Sequence, residues 1–210
     1  MPPSASVVEP APAPRRDPEG TRQRILNAAL AEFAGRGFAG ARIQSIARRA
    51  GVNARMLYHY FGEKDDLFRA ILRRRLSDRP IQPAAEPTPV TSQMAEWFAR
   101  VCADPDWVRL TQWEALEVGD GPVVEEDLRR HRWSLAIEGI LAQQAAGTLA
   151  ADLDADLLLL ALLALATFPA ASPPAVRMLT GTTIADPSFQ ARYSTFLERL
   201  SAHLSTRSAT

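Results

Sequence analysis

One cysteine and one lysine stand in a chain of 210 residues, and each scarcity excludes something. Cys102 alone can build neither a disulfide framework nor a cysteine-based zinc site, and a lone thiol suits a reducing compartment. Its expected place is as a buried free thiol rather than a reactive one. Lys64 stands against 23 arginines, a bias that, with abundant alanine and proline, reflects coding composition. The first 14 residues are rich in proline and alanine and lack the apolar segment of a secretory signal. The densest apolar run, Leu157 to Ala166, is too short to span a bilayer and follows Asp152, Asp154 and Asp156. Both absences point to the cytoplasm. Alternating strand patterns and internal repeats are missing too, as are Ser/His/Asp or Cys/His arrangements, a phosphate loop and metal-ligand spacing. Neither a cofactor nor a metal is expected.

Net charge is zero, but that sum hides a division. Residues 15 to 79 carry 15 basic and 7 acidic side chains, a net of +8, whereas residues 80 to 210 carry 9 basic and 16 acidic, a net of −7. The first third suits a polyanion and the remainder does not.

Asp17-Pro18 reads as a cap followed by proline at the first helical position, where its missing N–H costs nothing. Leu26, Ala29, Leu30 and Phe33 then recur at the spacing of a helix with one buried face, over residues 18 to 35, with Gly35 and Gly37 as its stop. Residues 1 to 17 read as a disordered tail. The stripe Ile43, Ile46, Ala47 and Ala50 predicts a short second helix closed by Gly51, whose start at Ala41-Arg42 offers no side-chain acceptor and must lean on packing. Asn53 caps a third helix, and Val52 before it packs on Leu57, a staple that fixes the entry angle of a helix too short to be stable alone. Leu57 and Phe61 face inward, which leaves Ala54, Arg55, Met56, Tyr58 and His59 partly outward. The fourth helix starts near Lys64 with Asp65 and Asp66 in its first turn and ends in Arg73, Arg74 and Arg75, as the helix dipole favours. Pro80, Pro83, Pro87 and Pro89 mark residues 80 to 90 as a linker. Beyond it, helices are predicted over 91 to 103, 105 to 118, 123 to 146 and 154 to 168, then from Asp186-Pro187 onward, in one domain spanning 91 to 205. The eighth helix is apolar nearly all round, more than a single core explains.

A glycine stop, a polar cap and a short helix bearing Arg, Tyr and His describe the reading half of a helix-turn-helix. Around it stand Thr21-Arg22, Ile25-Leu26, Ala28-Ala29 and Phe33, then Gly37-Phe38, Ile43, Ile46-Ala47 and Ala50-Gly51-Val52, then Leu57-Tyr58, Tyr60-Phe61, Lys64 and Leu67-Phe68. With this ordered set, residues 21 to 72 resemble the DNA-binding domain of the tetracycline-repressor (TetR) family of bacterial transcription regulators. The resemblance implies an all-α protein with an N-terminal three-helix helix-turn-helix DNA-binding domain, residues 18 to 79 including the connecting fourth helix. It adds a C-terminal helical ligand-binding and dimerisation domain. It also implies a homodimer on a pseudo-palindromic double-stranded operator, with repression relieved by a small-molecule effector. Two positions depart from the pattern: Arg42 stands where many relatives carry threonine, and Glu63 where a capping serine is common.

On the DNA face Arg55 is the candidate base reader, because a guanidinium near the start of a recognition helix bonds guanine O6 and N7 together. Gln44, Ala54 and Met56 are further candidates at the bases. Tyr58, His59, Tyr60 and Lys64 suit phosphates, with Thr21, Arg22 and Arg42 beside them; a core position fits Tyr60 as well. In the second domain Trp97, Trp107, Trp113 and Trp133 lie within 37 residues. With Phe98 as a wall and Arg109, Gln112 and Glu114 as polar anchors, they suit an amphipathic effector, or else plain core. The eighth and last helices are the expected dimer seam. His131 near Glu125, Glu126 and Asp127 reads as a charged, solvated helix face. The alternatives are an effector-independent DNA-binding protein and an enzyme with an accessory DNA-binding domain.

Overall fold

The computed structural model describes residues 17–78 and 90–205, and the described residues form ten helices and no strand. The tail read at 1 to 17 and the linker read at 80 to 90 lie outside the described residues, apart from Asp17 and Val90. A head is built from α1 (Pro18–Gly40), α2 (Ile43–Ala50), α3 (Ala54–Phe61) and α4 (Lys64–Ser77). The body follows as α5 (Val90–Ala103), α6 (Pro105–Val118), α7 (Glu126–Ala145), α8 (Ala155–Ala171), α9 (Pro173–Thr180) and α10 (Pro187–Leu204).

Helix α1 starts where its cap predicts, with the Gly20 N–H donating to Asp17 Oδ1 at 2.8 Å. It runs through Gly35, which is no stop, and breaks at Gly37, where φ is 70°. One further turn carries Phe38 back beside Phe33 and Phe68, with ring centroids 6.0 and 5.4 Å away. Gly37 is required twice over: a left-handed φ favours glycine, and an added Cβ would sit 2.8 Å from the Trp113 ring. The head core gathers Ile25, Phe33, Ile46, Leu57, Leu67 and Leu72, all enclosed, each contributing about 1.5–3 kcal/mol. Leu110 of α6 belongs to the same core, and Trp107 and Val124 pack on it. Helix α6 therefore completes the head from the side of the body.

In the body, α5 packs between α8 and α10, and Met94 and Phe98 on it join Ile140, Leu158, Leu159, Leu162, Phe189 and Leu197 in a second core. The predicted end at residue 168, before Pro169, is passed; α8 continues to Ala171. Proline inside a helix leaves the carbonyl four residues back without its donor. That carbonyl is Leu165, and the Tyr193 hydroxyl of α10 donates to it at 2.9 Å. Helix α7 begins at Glu126 rather than 123, because the Val124 N–H is drawn to the Glu114 carboxylate at 2.8 Å and Glu125 is left-handed with φ 54°. Of its apolar stripe, Ile140 is buried while Leu135 and Leu141 are exposed. Helix α9 is additional to the predicted set. Among the described residues no single helix is long and apolar enough to cross a membrane, and no group of three His, Cys, Asp or Glu side chains could hold a metal ion.

Candidate nucleic-acid interface

The turn between α2 and α3 is set by its hydrogen bonds. Gly51 takes the left-handed conformation, φ 68°, while its N–H donates to Arg48 O at 3.3 Å and the Val52 N–H donates to Ala47 O at 3.0 Å. This pair of bonds is the Schellman ending, which calls for glycine at that position. Two residues on, Asn53 Oδ1 accepts from the Met56 N–H at 2.7 Å, capping α3 as its sequence predicts. Val52 packs against the core that contains Leu57. With Leu57 and Phe61 buried beneath it, a helix of eight residues is held by both ends and by its inner face.

What α3 turns outward is Arg55, Met56, Tyr58 and His59, all exposed, with Ala54 and Tyr60 half-buried. The His59 and Tyr60 rings meet edge to face at 5.9 Å, and Tyr60 packs against the head core. Gln44 is exposed on α2, as are Arg42, Arg48 and Arg49. The pairing of the head's arginines divides them by face. On α4, Arg69 pairs with Asp65 at 2.8 Å, Arg73 with Glu125 at 3.0 Å and Arg74 with Asp78 at 3.6 Å, and Arg75 pairs with Asp104. No carboxylate among the described residues pairs with Arg42, Arg48, Arg49 or Arg55. Uncompensated cations on the turn face are the electrostatic footprint of a polyanion site.

The remaining candidates on the head already have partners. Arg22 lies over the Phe61 ring, 5.1 Å from its centroid, which joins the start of α1 to the end of α3. The Thr21 hydroxyl donates to Asp17 O at 2.7 Å and accepts from Arg24 at 2.9 Å. The Lys64 ammonium donates to Ala39 O at 3.3 Å and stands 4.9 Å from the Phe38 ring centroid, so it ties the start of α4 to the end of α1. At Glu63, in place of the capping serine, the backbone N–H donates to Asp66 Oδ2 at 3.0 Å. The start of α2 gains an acceptor that its own segment lacks. Glu32 of α1, 3 % exposed, accepts from the Arg42 N–H and the Ser45 hydroxyl. Nothing in the periodicity reading singled Glu32 out, though its place on the buried face with Ile25, Ala28 and Ala29 was a visible signal.

The residues read as effector contacts do not gather round one cavity. Trp107 packs on the head core and Trp97 on the body core, Trp113 covers Gly37, and Trp133 is 48 % exposed on α7. Two of the four rings thus pack on the core their helix meets, and two stay exposed. Glu114 is buried and committed: Arg129 donates to it with both terminal nitrogens, at 2.7 and 3.2 Å, besides the Val124 N–H. Gln112 donates to Ala171 O at 3.2 Å, and Arg109 is exposed. Phe98 packs in the body core, its ring centroid 4.8 Å from that of Tyr193 with the planes tilted by 60°. It also lines a groove of about 280 Å³ with Ala99, Cys102, Ala103, Gln190 and Ser194. Burial raises the pKa of the Cys102 thiol there.

A short capped helix, locked by a Schellman turn to its neighbour and presenting unpaired arginines, defines a helix-turn-helix DNA-binding regulator. Residues 25–71 match the family model of bacterial regulatory proteins of the tetR family, and residues 90–196 match that of the tetracyclin repressor-like C-terminal domain. The chain is similar to the HTH-type transcriptional repressor SCO4008 of Streptomyces coelicolor, 33 % identical over 166 residues that cover 79 % of this chain and 86 % of that protein. It is also similar to the HTH-type transcriptional repressor NicS of Pseudomonas putida, 48 % identical over 52 residues, 25 % of this chain and 24 % of that one. The crystal structure of the transcriptional regulator SCO4942 from Streptomyces coelicolor superposes with a TM-score of 0.72 at 25 % identity, covering 89 % of this chain and 99 % of that one. The chain belongs to the tetR family of bacterial transcriptional regulators.

Proposed function

We propose that this regulator is a cytoplasmic repressor that binds a pseudo-palindromic operator as a homodimer and is released by a small amphipathic effector, with no enzymatic activity of its own. The observation that carries the DNA part is the unpaired set Arg42, Arg48, Arg49 and Arg55 around the α2–α3 turn. In this reading Arg55 reads a base, with Gln44, Ala54 and Met56 beside it in the major groove. Tyr58, His59, Arg42 and Arg22 take phosphates, and Tyr60, Thr21 and Lys64, which have partners inside the head, contribute less. Leu157, Leu160 and Phe168 of α8 and Phe196 of α10, each 50 % exposed or more, support a seam with a second copy through those two helices. Phe98 and the groove beside Cys102 are the first place to look for the effector. Trp97, Arg109, Gln112, Trp113 and Trp133 take part through rearrangement, Trp107 ties the body to the head, and Glu114 holds α6 to the start of α7.

The test is selection of bound duplexes from a random-sequence pool, followed by footprinting. The proposal expects two inverted half-sites about one helical turn apart. Enrichment of a single half-site, or of no sequence, would overturn it.

A further inference from the structure

Helix α2 begins without a cap of its own. Arg42 holds the cap position in extended conformation and makes no side-chain cap bond. The group that completes the helix start comes from α1. One oxygen of the Glu32 carboxylate accepts from the Arg42 backbone N–H at 3.4 Å, and the other accepts from the Ser45 hydroxyl at 3.0 Å. Arg36 lies one turn further along, 3.4 Å from the same carboxylate. In a capping box the third residue of a helix sends its own acidic side chain back to the cap N–H. Here that third residue is Ser45, and a carboxylate from another helix fills its role while binding Ser45 itself. A buried carboxylate is costly unless its lone pairs are satisfied, so three partners on one group tie it firmly in place.

We propose that Glu32 is a positioning residue for DNA recognition: it fixes the start of α2 to α1 and so aims Gln44 and Arg42 at the same surface as Arg55. The proposal rests on the reading of the α2–α3 surface as the DNA face. Packing of Ile43 and Ile46 sets which side of α2 is inward, but the rotation of its first turn needs a polar anchor, and Glu32 is the one that reaches it.

The experiment uses the full chain and two duplexes at one salt concentration: one selected by the wild-type protein from a random pool, and a scrambled duplex of equal length. Glu32→Leu removes the acceptor and keeps side-chain bulk. Ser45→Glu supplies a local acceptor in the capping-box position, and the double variant conserves net charge. Glu32→Leu is expected to bind the selected duplex about five- to tenfold more weakly and the scrambled one unchanged within about twofold, with faster hydrogen exchange at the Arg42 amide. Ser45→Glu alone, with two carboxylates competing for one N–H, is expected to weaken selected binding. In the double variant the selected affinity and the slow Arg42 exchange are expected to return. A merely structural residue would lower both duplexes together through the folded fraction, and Ser45→Glu would not restore selectivity. Should Glu32→Leu fail to fold, Glu32→Gln is compared in the same way with and without Ser45→Glu. A folded Glu32 variant that discriminates the duplexes as wild type does, or a double variant no better than the single, overturns the proposal. An Arg55→Ala variant with unaltered selectivity would instead overturn the DNA-face reading beneath it.

Discussion

Head and body treat their apolar residues differently. Within residues 17–78 the exposed large hydrophobic side chains are Met56 and Tyr58, both on α3; every other large apolar group of the head is at least partly covered. In the body Leu157, Leu160 and Phe168 of α8 are more than half exposed, as are Leu116 of α6, Leu141 of α7 and Met178 and Leu179 of α9. The head completes its core within one chain, with Leu110 borrowed from α6, and its surface is left for charge. The body keeps large apolar side chains on its surface, and grouped exposed hydrophobics of this kind suit a protein partner. One region leaves charge on its surface, while the other leaves the apolar side chains that the proposed second copy would cover.

The sharpest way to break this contrast is to charge the apolar face. Leu160→Asp is expected to convert a dimer to a monomer in sedimentation at micromolar concentration and to weaken operator binding by about 10² or more, because the two half-sites lose their linkage. Unchanged mass would mean that α8 meets no partner. Next in size are the two ion pairs at the start of α7. Glu114→Ala leaves Arg129 without its buried carboxylate and is expected to cost about 3–5 kcal/mol in denaturant unfolding. Arg73→Ala, at an exposed pair with Glu125 (59 % and 41 % exposed), is expected to cost about 1 kcal/mol or less. Equal losses for the two would contradict the burial argument. A smaller effect is expected for Lys64→Ala: a uniform weakening across sequences that lowers the salt slope by at most about one, since its ammonium is already held by Ala39. The smallest concerns Cys102. Burial raises its thiol pKa, so alkylation at neutral pH is expected to be slower than for a free cysteine and to accelerate only at higher pH than usual. A rate matching free cysteine would place the thiol in solvent.

The same contrast explains what was legible in the sequence. In the head the signals are local: Asp17, Gly51, Asn53 and the Leu57–Phe61 pair act on residues within four positions of themselves, and each device appears where the chain predicts it. Glu32 escaped because it acts on Arg42 and Ser45 through space, which no periodicity reports. In the body the informative contacts are long-range. The continuation of α8 through Pro169 depends on a hydroxyl at Tyr193, and the late start of α7 depends on Glu114. Trp97 and Trp107 sit close in sequence yet pack on separate cores, because α6 faces the head whereas α5 faces α8 and α10, and Trp113 and Trp133 stay exposed. Proximity along the chain was read as a shared chamber, and helix orientation divided it. Helix α9 has proline at its start and Gly181 at its end, φ 70°, but it is only eight residues long and its one buried residue is Val176.

The central claim, that α3 reads sequence through Arg55, is tested most directly by the base preference of Arg55→Ala on a selected operator and all its single-base variants. The account predicts a loss of about 1–3 kcal/mol with preference flattened at one position in each half-site and retained elsewhere. A variant that kept the full wild-type preference at every position would contradict it.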